Sequence, residues 1–246
     1  MSQRLRDQSR RQHELSLNLE GVASVPQIFD DGVADDCYWF DMEFIAGVDA
    51  VDYLAFGTRQ RLERLAEQIG LILEVEASKA ISGQDQLDLH RLVLDKLDEI
   101  NQVTGNVHYD ILLLIRQALG ENRIFLEPTI AHGDLTLENI LIDKHEKLWL
   151  IDAIGSPINH YWTDLAKLFQ DLVGRWYKHR GRNLSIGLTR TMTDHIFKHA
   201  IKLDLRYSEV HSVLLALTFA RILPYCKYTQ DVDFVTNKIH LSLEFL

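Results

Sequence analysis

The stretch Ile130-Ala131-His132-Gly133-Asp134-Leu135-Thr136-Leu137-Glu138-Asn139-Ile140-Leu141-Ile142, answered by Leu148-Trp149-Leu150-Ile151-Asp152, decides how this chain is read. Ile140–Ile142 and Leu148–Ile151 are short apolar runs around a polar segment, 143–147, that suits a turn, so the pair reads as a hairpin. Asp134 and Asn139 lie five positions apart on a loop entering the first strand, where an acid and an amide can converge on one spot. Asp152 follows the return strand and reaches the same spot, because a hairpin brings its two ends together. Phosphoryl transfer uses such a set. One carboxylate orients the attacking hydroxyl and accepts its proton, while an amide oxygen and a second carboxylate hold Mg²⁺ on nucleotide phosphates.

Outward from the hairpin the texture is helical. Leu62, Leu65, Ala66, Ile69, Ile72 and Leu73 recur at three- and four-residue steps; Leu89, Leu92, Val93, Leu97 and Ile100 repeat the pattern, and 111–119 supplies a third helix. Downstream, helices are expected near 163–178, 186–202, 208–226 and 231–245. The first fifty residues differ. They offer a helix ending near Gly21, a short strand over 25–29, a turn at Asp31-Gly32 and a strand over 37–45. The expected architecture is α+β, with residues 1–46 as a small N-terminal piece and 47–246 as a large helical piece that carries the hairpin 130–152.

His132-Gly133-Asp134 with Asn139, the distal Ile151-Asp152, Thr163-Asp164-Leu165-Ala166 and Met42-Glu43-Phe44-Ile45-Ala46-Gly47 occur in one order along the chain. In these residues the sequence resembles the aminoglycoside phosphotransferase and choline kinase-like family, relatives of the protein kinases, over about residues 10–225. The resemblance implies a protein-kinase-like fold with a truncated N-terminal lobe, ATP and Mg²⁺ as cofactors, and a small-molecule hydroxyl acceptor: a sugar, an aminoglycoside or an amino alcohol. It implies Asp134 as catalytic base and Asn139 and Asp152 as metal ligands. His132 would hold the loop and Asp164 would bind catalytic-loop backbone in support. The Glu43 carbonyl and Ile45 amide would read adenine at a hinge between lobes, and Glu14 or Glu20 would be the helix glutamate that normally pairs with a phosphate-gripping lysine.

That lysine and its glycine-rich loop have no counterpart. The first lysine is Lys79, and the first fifty residues hold only Gly21, Gly32 and Gly47, each isolated. Losing them removes electrostatic stabilisation of the transferring group. A second function therefore stays open beside the kinase: a catalytically impaired, pseudokinase-like binding or regulatory module, forming a homodimer or capturing a partner through an open N-lobe strand edge. Arg4, Arg6, Arg10 and Arg11 read best as a solvated helix face.

Composition narrows the rest. With 26 basic against 36 acidic side chains among 246 residues the net charge is −10, the wrong balance for extensive nucleic-acid binding. The longest apolar stretches, 111–115 and 213–217, are far too short to span a bilayer, and the polar N-terminus has no signal-peptide core. Cys37 and Cys226, 189 residues apart, fit reduced thiols of a cytoplasmic protein, with Cys37 expected as a small buried hydrophobe in its strand. Tyr161, Trp162, Trp176 and Tyr177 read first as packing and second as an aromatic box for a quaternary ammonium. His195 and His199, four apart, lack the glutamate and third ligand of a zinc site.

Overall fold

The computed structural model describes residues 2–81, 83–156 and 158–244. The small N-terminal region comprises α1 (Ser2–Asn18) and a hairpin of β1 (Ile28–Ala34) and β2 (Cys37–Met42). Leu15 of α1 and Leu19 just beyond its end are fully buried, and Gln12, also buried, donates to the Pro26 carbonyl at 2.7 Å, fixing the helix on the segment that leads into β1.

The expected strand at 25–29 and turn at Asp31-Gly32 are both displaced. β1 begins at Ile28 and runs through Asp31 and Gly32, and the reversal falls at Asp35-Asp36, which both adopt left-handed backbone (φ 50° and 59°). A two-residue loop with both φ positive is the reversal whose twist matches the flanking strands, and aspartate tolerates it. Gly32 serves packing instead: it pairs with Trp39, whose ring lies 3.1 Å from where a Cβ would be. Cys37 is exposed, not buried, because alternation turns its neighbour Tyr38 inward. Among the described residues β2 pairs only with β1, which leaves its other edge open.

The remainder is mainly helical. β3 (Gly47–Asp49) leads into α2 (Ala50–Ala55) and α3 (Arg59–Ser78), whose Leu65, Ile69, Ile72 and Leu73 are fully buried. A two-stranded ladder, β4 (Leu87–Asp88) with β5 (Phe125–Leu126), closes the excursion through α4 (Leu89–Val103) and α5 (Tyr109–Leu119). Asp49, Thr58 and Asp88 cap α2, α3 and α4 by accepting from backbone amides of the first turn. The hairpin is present as β6 (Ile140–Asp143) and β7 (Leu148–Leu150), and Asp143 holds its turn by accepting from the amides of His145 and Lys147 and the indole of Trp149. β3 adds to β6 as a third strand, and Ser24 bridges β7 on the far side.

The helix expected over 163–178 is two. α6 (Tyr161–Leu172) stops at Gly174-Arg175, where Arg175 is left-handed (φ 58°), before the single turn α7 (Trp176–His179). A Cβ at Gly174 would sit 2.0 Å from the Phe219 ring, so glycine is required for the close approach. α8 (Ile186–Leu203), α9 (Tyr207–Ala220) and α10 (Thr229–Leu243) complete the chain, with α9 apolar nearly all round and packed between α5, α6 and α10. The four aromatics form no box: Trp162 touches His160, Tyr161 and Tyr207, whereas Trp176 touches His179 and Phe234. His199 faces Glu74 at 3.4 Å, and the described residues contain no group of three or more His, Cys, Asp or Glu side chains able to hold a metal.

The His211 ring on α9 is enclosed by Phe169, Phe197 and Tyr207, and burial lowers its pKa to about 4. In the unfolded chain it titrates near the ordinary 6.5, so its stabilising share is complete above that value and is lost as pH falls toward 4. In urea unfolding at pH 7 and pH 4.5, His211→Phe is expected to reduce the acid-induced loss of stability by roughly 2 kcal/mol relative to the parent. An undiminished loss would show that His211 is not among the groups responsible.

Candidate active site

The site is organised from α6. Residues 164, 167 and 171 follow each other at helical spacing and share one face, which here lies against the loop 131–139. Asp164, fully buried, accepts from three backbone amides of that loop: His132 (2.6 Å), Gly133 (2.8 Å) and Leu135 (3.2 Å). One turn on, Lys167 places its ammonium 2.9 Å from Asp134 Oδ1. A further turn on, Asp171 accepts from the Leu137 amide at 2.8 Å, and burial pushes its carboxyl up to about 7.

Behind the loop, Glu76 of α3 is completely buried beside Asp164 and accepts from the His132 amide at 3.2 Å. Burial, followed by the Asp164 charge, pushes the Glu76 carboxyl well above the carboxylate range. Asp164 is also raised by burial, but its three amide donors favour the anion. The pair therefore shares one negative charge, with the proton on Glu76. His132 is neutral, its pKa lowered to about 4 by burial. Its Nδ1 accepts from the Asp134 amide at 3.3 Å, so Nε2 carries the hydrogen and donates to the Ile151 carbonyl at 2.8 Å. Gly133 has φ 86°, and a Cβ there would lie 2.0 Å from the Ile154 carbonyl oxygen; the loop passes that close because the Ile154 amide donates to the His132 carbonyl.

The anticipated residues converge. The Asn139 side-chain amide donates to the Asp134 backbone carbonyl (2.8 Å) and to its Oδ2 (3.2 Å), which leaves Asn139 Oδ1 without a partner among the described residues. The Ile151 amide donates to the Asn139 carbonyl, bringing Asp152 to the same edge. Asp152 is exposed and left-handed (φ 58°), a backbone that aspartate tolerates and that turns it out of the β7 line. Burial raises the Asp134 carboxyl, but the Lys167 ammonium, through charge and hydrogen bond, and Arg221 outweigh it and hold Asp134 below the usual range. Asp134 is thus ionised at neutral pH. Oxygen donors from one amide and one exposed carboxylate fit Mg²⁺, which takes few protein ligands and fills its shell with phosphate and water.

At the expected hinge the Glu43 amide donates to the Gln27 carbonyl at 2.8 Å, whereas the Glu43 carbonyl and Ile45 amide have no hydrogen-bond partner among the described residues. Gly47 then crosses β6 so closely that a Cβ would sit 2.7 Å from the Ile142 carbonyl oxygen. Glu14 is exposed and, among the described residues, ion-paired only with Arg10, and Glu20 lies exposed past the end of α1. The α1 arginines are not one solvated face: Arg11 donates to Asn159 Oδ1 at 2.8 Å and Arg6 stacks on Tyr38, while Arg10 stays at the surface. Gln8 of the same helix donates to Asp152 Oδ1 at 3.3 Å. Sequence reasoning missed Glu76, Lys167 and Asp171. For the last two a signal existed, the spacing of 3 and 7 from Asp164 on one helix.

The model of the phosphotransferase enzyme family (APH) matches residues 2–191, and the chain belongs to that family. Among solved structures, it resembles a thermostable mutant of aminoglycoside phosphotransferase APH(4)-Ia in the apo form (TM-score 0.64, 11% identity, covering 97% of this chain and 84% of that one). It also resembles APH(2")-IIa in a ternary complex with streptomycin and ATP (TM-score 0.56, 12% identity, 98% and 82%) and an ethanolamine kinase of Plasmodium vivax (TM-score 0.52, 12% identity, 96% and 72%). The fold is the kinase-like one these structures share, α+β with a small N-terminal and a large helical region. A comparison with curated protein sequences gives no match.

If Glu76 is the protonated partner, Glu76→Gln preserves both its acceptor and its donor and is expected to cost under about 1 kcal/mol. Asp164→Asn turns a donor toward backbone amides and is expected to cost about 2–4 kcal/mol. Denaturant unfolding of the two variants checks the assignment, and the reverse order of stabilities would place the charge on Glu76.

Proposed function

We propose that this protein transfers the γ-phosphoryl group of ATP to a hydroxyl of a small molecule, with residues 1–46 as the small lobe and 47–246 as the large lobe carrying the catalytic hairpin 130–152. The observation that carries the reading is the Asp134–Asn139 pair: the amide nitrogen is spent on Asp134, so the amide oxygen faces away and is free for a cation. Asn139 and Asp152 would hold Mg²⁺, which supplies positive charge to the β- and γ-phosphates. The Glu43 carbonyl and Ile45 amide, both unpaired, would read the adenine edge.

Asp134 orients the acceptor hydroxyl. As the hydroxyl oxygen bonds to the γ-phosphorus, the bond from that phosphorus to the bridging oxygen breaks, ADP departs and the hydroxyl proton passes to Asp134. The transition state is loose, so a carboxylate held ionised by Lys167 suffices as base. Asp164 and His132 act through position only: the first gathers the loop amides, the second ties the loop to Ile151 beside Asp152. The second reading is a catalytically impaired, pseudokinase-like binding or regulatory module, supported by the lack of a glycine-rich loop and of any lysine within residues 1–78.

Asp134→Asn is expected to lower phosphoryl transfer about 100-fold or more, while calorimetry with Mg²⁺ present still registers ATP. An absence of ATP binding at millimolar concentration by the parent protein would overturn the kinase and leave the binding module.

A further inference from the structure

Asp134 opens into a cleft of about 350 Å³, near the low end for small-molecule sites. Its charged lining comprises Arg4 of α1, Lys96 and Glu99 of α4, Asp134, Lys167 of α6, and Arg221 just past α9. That is four cations against two carboxylates, in a protein whose overall balance is 26 basic to 36 acidic. The excess at this point is therefore not inherited from the surface composition.

The pairing inside the cleft sharpens the point. Lys96 holds both oxygens of Glu99, at 2.7 and 2.8 Å, and Lys167 holds Asp134 at 2.9 Å. Each carboxylate has its own lysine, and the guanidinium groups of Arg4 and Arg221 make no ion pair or hydrogen bond among the described residues. Arg221 is half-buried and close enough for its charge to act on Asp134; Arg4 is exposed. The rest of the wall is aliphatic apart from Tyr225. A cationic acceptor would meet two positive charges that no protein carboxylate neutralises, and the half-buried Arg221 is the less screened of the two. A guanidinium fork instead matches the paired oxygens of a carboxylate or phosphate.

We propose that the phosphoryl acceptor carries an anionic group, a carboxylate or a phosphate, which Arg221 and Arg4 clasp while its hydroxyl meets Asp134. This rests on the kinase reading for the transfer, but the anion site stands on the cleft alone. The transfer forms the hydroxyl oxygen–phosphorus bond, breaks the bridging bond to ADP and delivers the proton to Asp134, so the product is a phosphomonoester bearing a second anionic group. Streptomycin and ethanolamine, which accompany or name two of the similar structures, are cations at neutral pH; this cleft calls for the opposite sign.

The test uses three-carbon probes of one skeleton, glycerol, glycerate and glycerol 3-phosphate, with ethanolamine as the cation, in calorimetric titrations of the full chain without nucleotide. At least one of the two anions is expected to bind ten times or more tightly than glycerol or ethanolamine, and the better of them tells carboxylate from phosphate. Arg221→Gln is expected to weaken that anion about tenfold or more, the loss of one charge-assisted hydrogen bond, with partial recovery in Arg221→Lys. Arg4→Gln, at an exposed position on α1, is expected to weaken it in the same sense. Anions that bind no better than glycerol or ethanolamine, or that bind Arg221→Gln and Arg4→Gln as well as the parent, would overturn the anion site. Titration of ATP with Mg²⁺ reports on the kinase reading separately, so failure of one is distinguishable from failure of the other.

Discussion

Three backbone amides pointing at one buried carboxylate hold this structure's chemistry in place. The loop 132–135 has no regular secondary structure to absorb its amides, and it runs through the interior, where an unpaired amide is costly. Asp164 collects those of His132, Gly133 and Leu135 from the far side, and Asp171 does the same for Leu137. A buried charge would itself be expensive, and the cost is met twice over: by the amides, and by keeping the neighbouring Glu76 protonated so that a second charge never forms. The loop's shape is then no longer a property of the loop. It is dictated by a helix.

That dependence explains why the Asp134 carboxylate sits where it does. α6 presents an anchor, a cation and a second anchor at successive turns, and the cation falls opposite Asp134 because the anchors fix the register on both sides of it. Asp134 is in turn bracketed by Lys167 on one oxygen and Asn139 on the other, so neither oxygen is free to swing. Such locking by surrounding groups is what a positioned acid or base requires.

Much of this was legible in the residues. The hairpin 140–150 and the long helices follow from period alone, since strict apolar spacing leaves little choice of face. The convergence of Asp134, Asn139 and Asp152 followed from hairpin closure. What was not legible depends on partners distant in sequence. Asp31-Gly32 carries a stronger local turn signal than Asp35-Asp36, yet the pairing of Gly32 under Trp39 moved the reversal. β3 is three residues long and owes its strand character entirely to β6. Glu76 looks like one more acid on an amphipathic helix until α3 is packed against the loop, and the division of labour among the α1 arginines is decided by Tyr38 and Asn159.

The two ends of the β1–β2 unit are both sewn into the same sheet of the larger region. Ser24, just before β1, exchanges hydrogen bonds with Leu148 and Leu150 on one side of the β6–β7 hairpin, and Gly47, just after the hinge, pairs with Asp143 on the other. With both roots tied, the small hairpin cannot slide across the site. A rigid rotation of the unit that keeps both attachments has its axis along the line joining Ser24 and Gly47, which lies in the sheet itself.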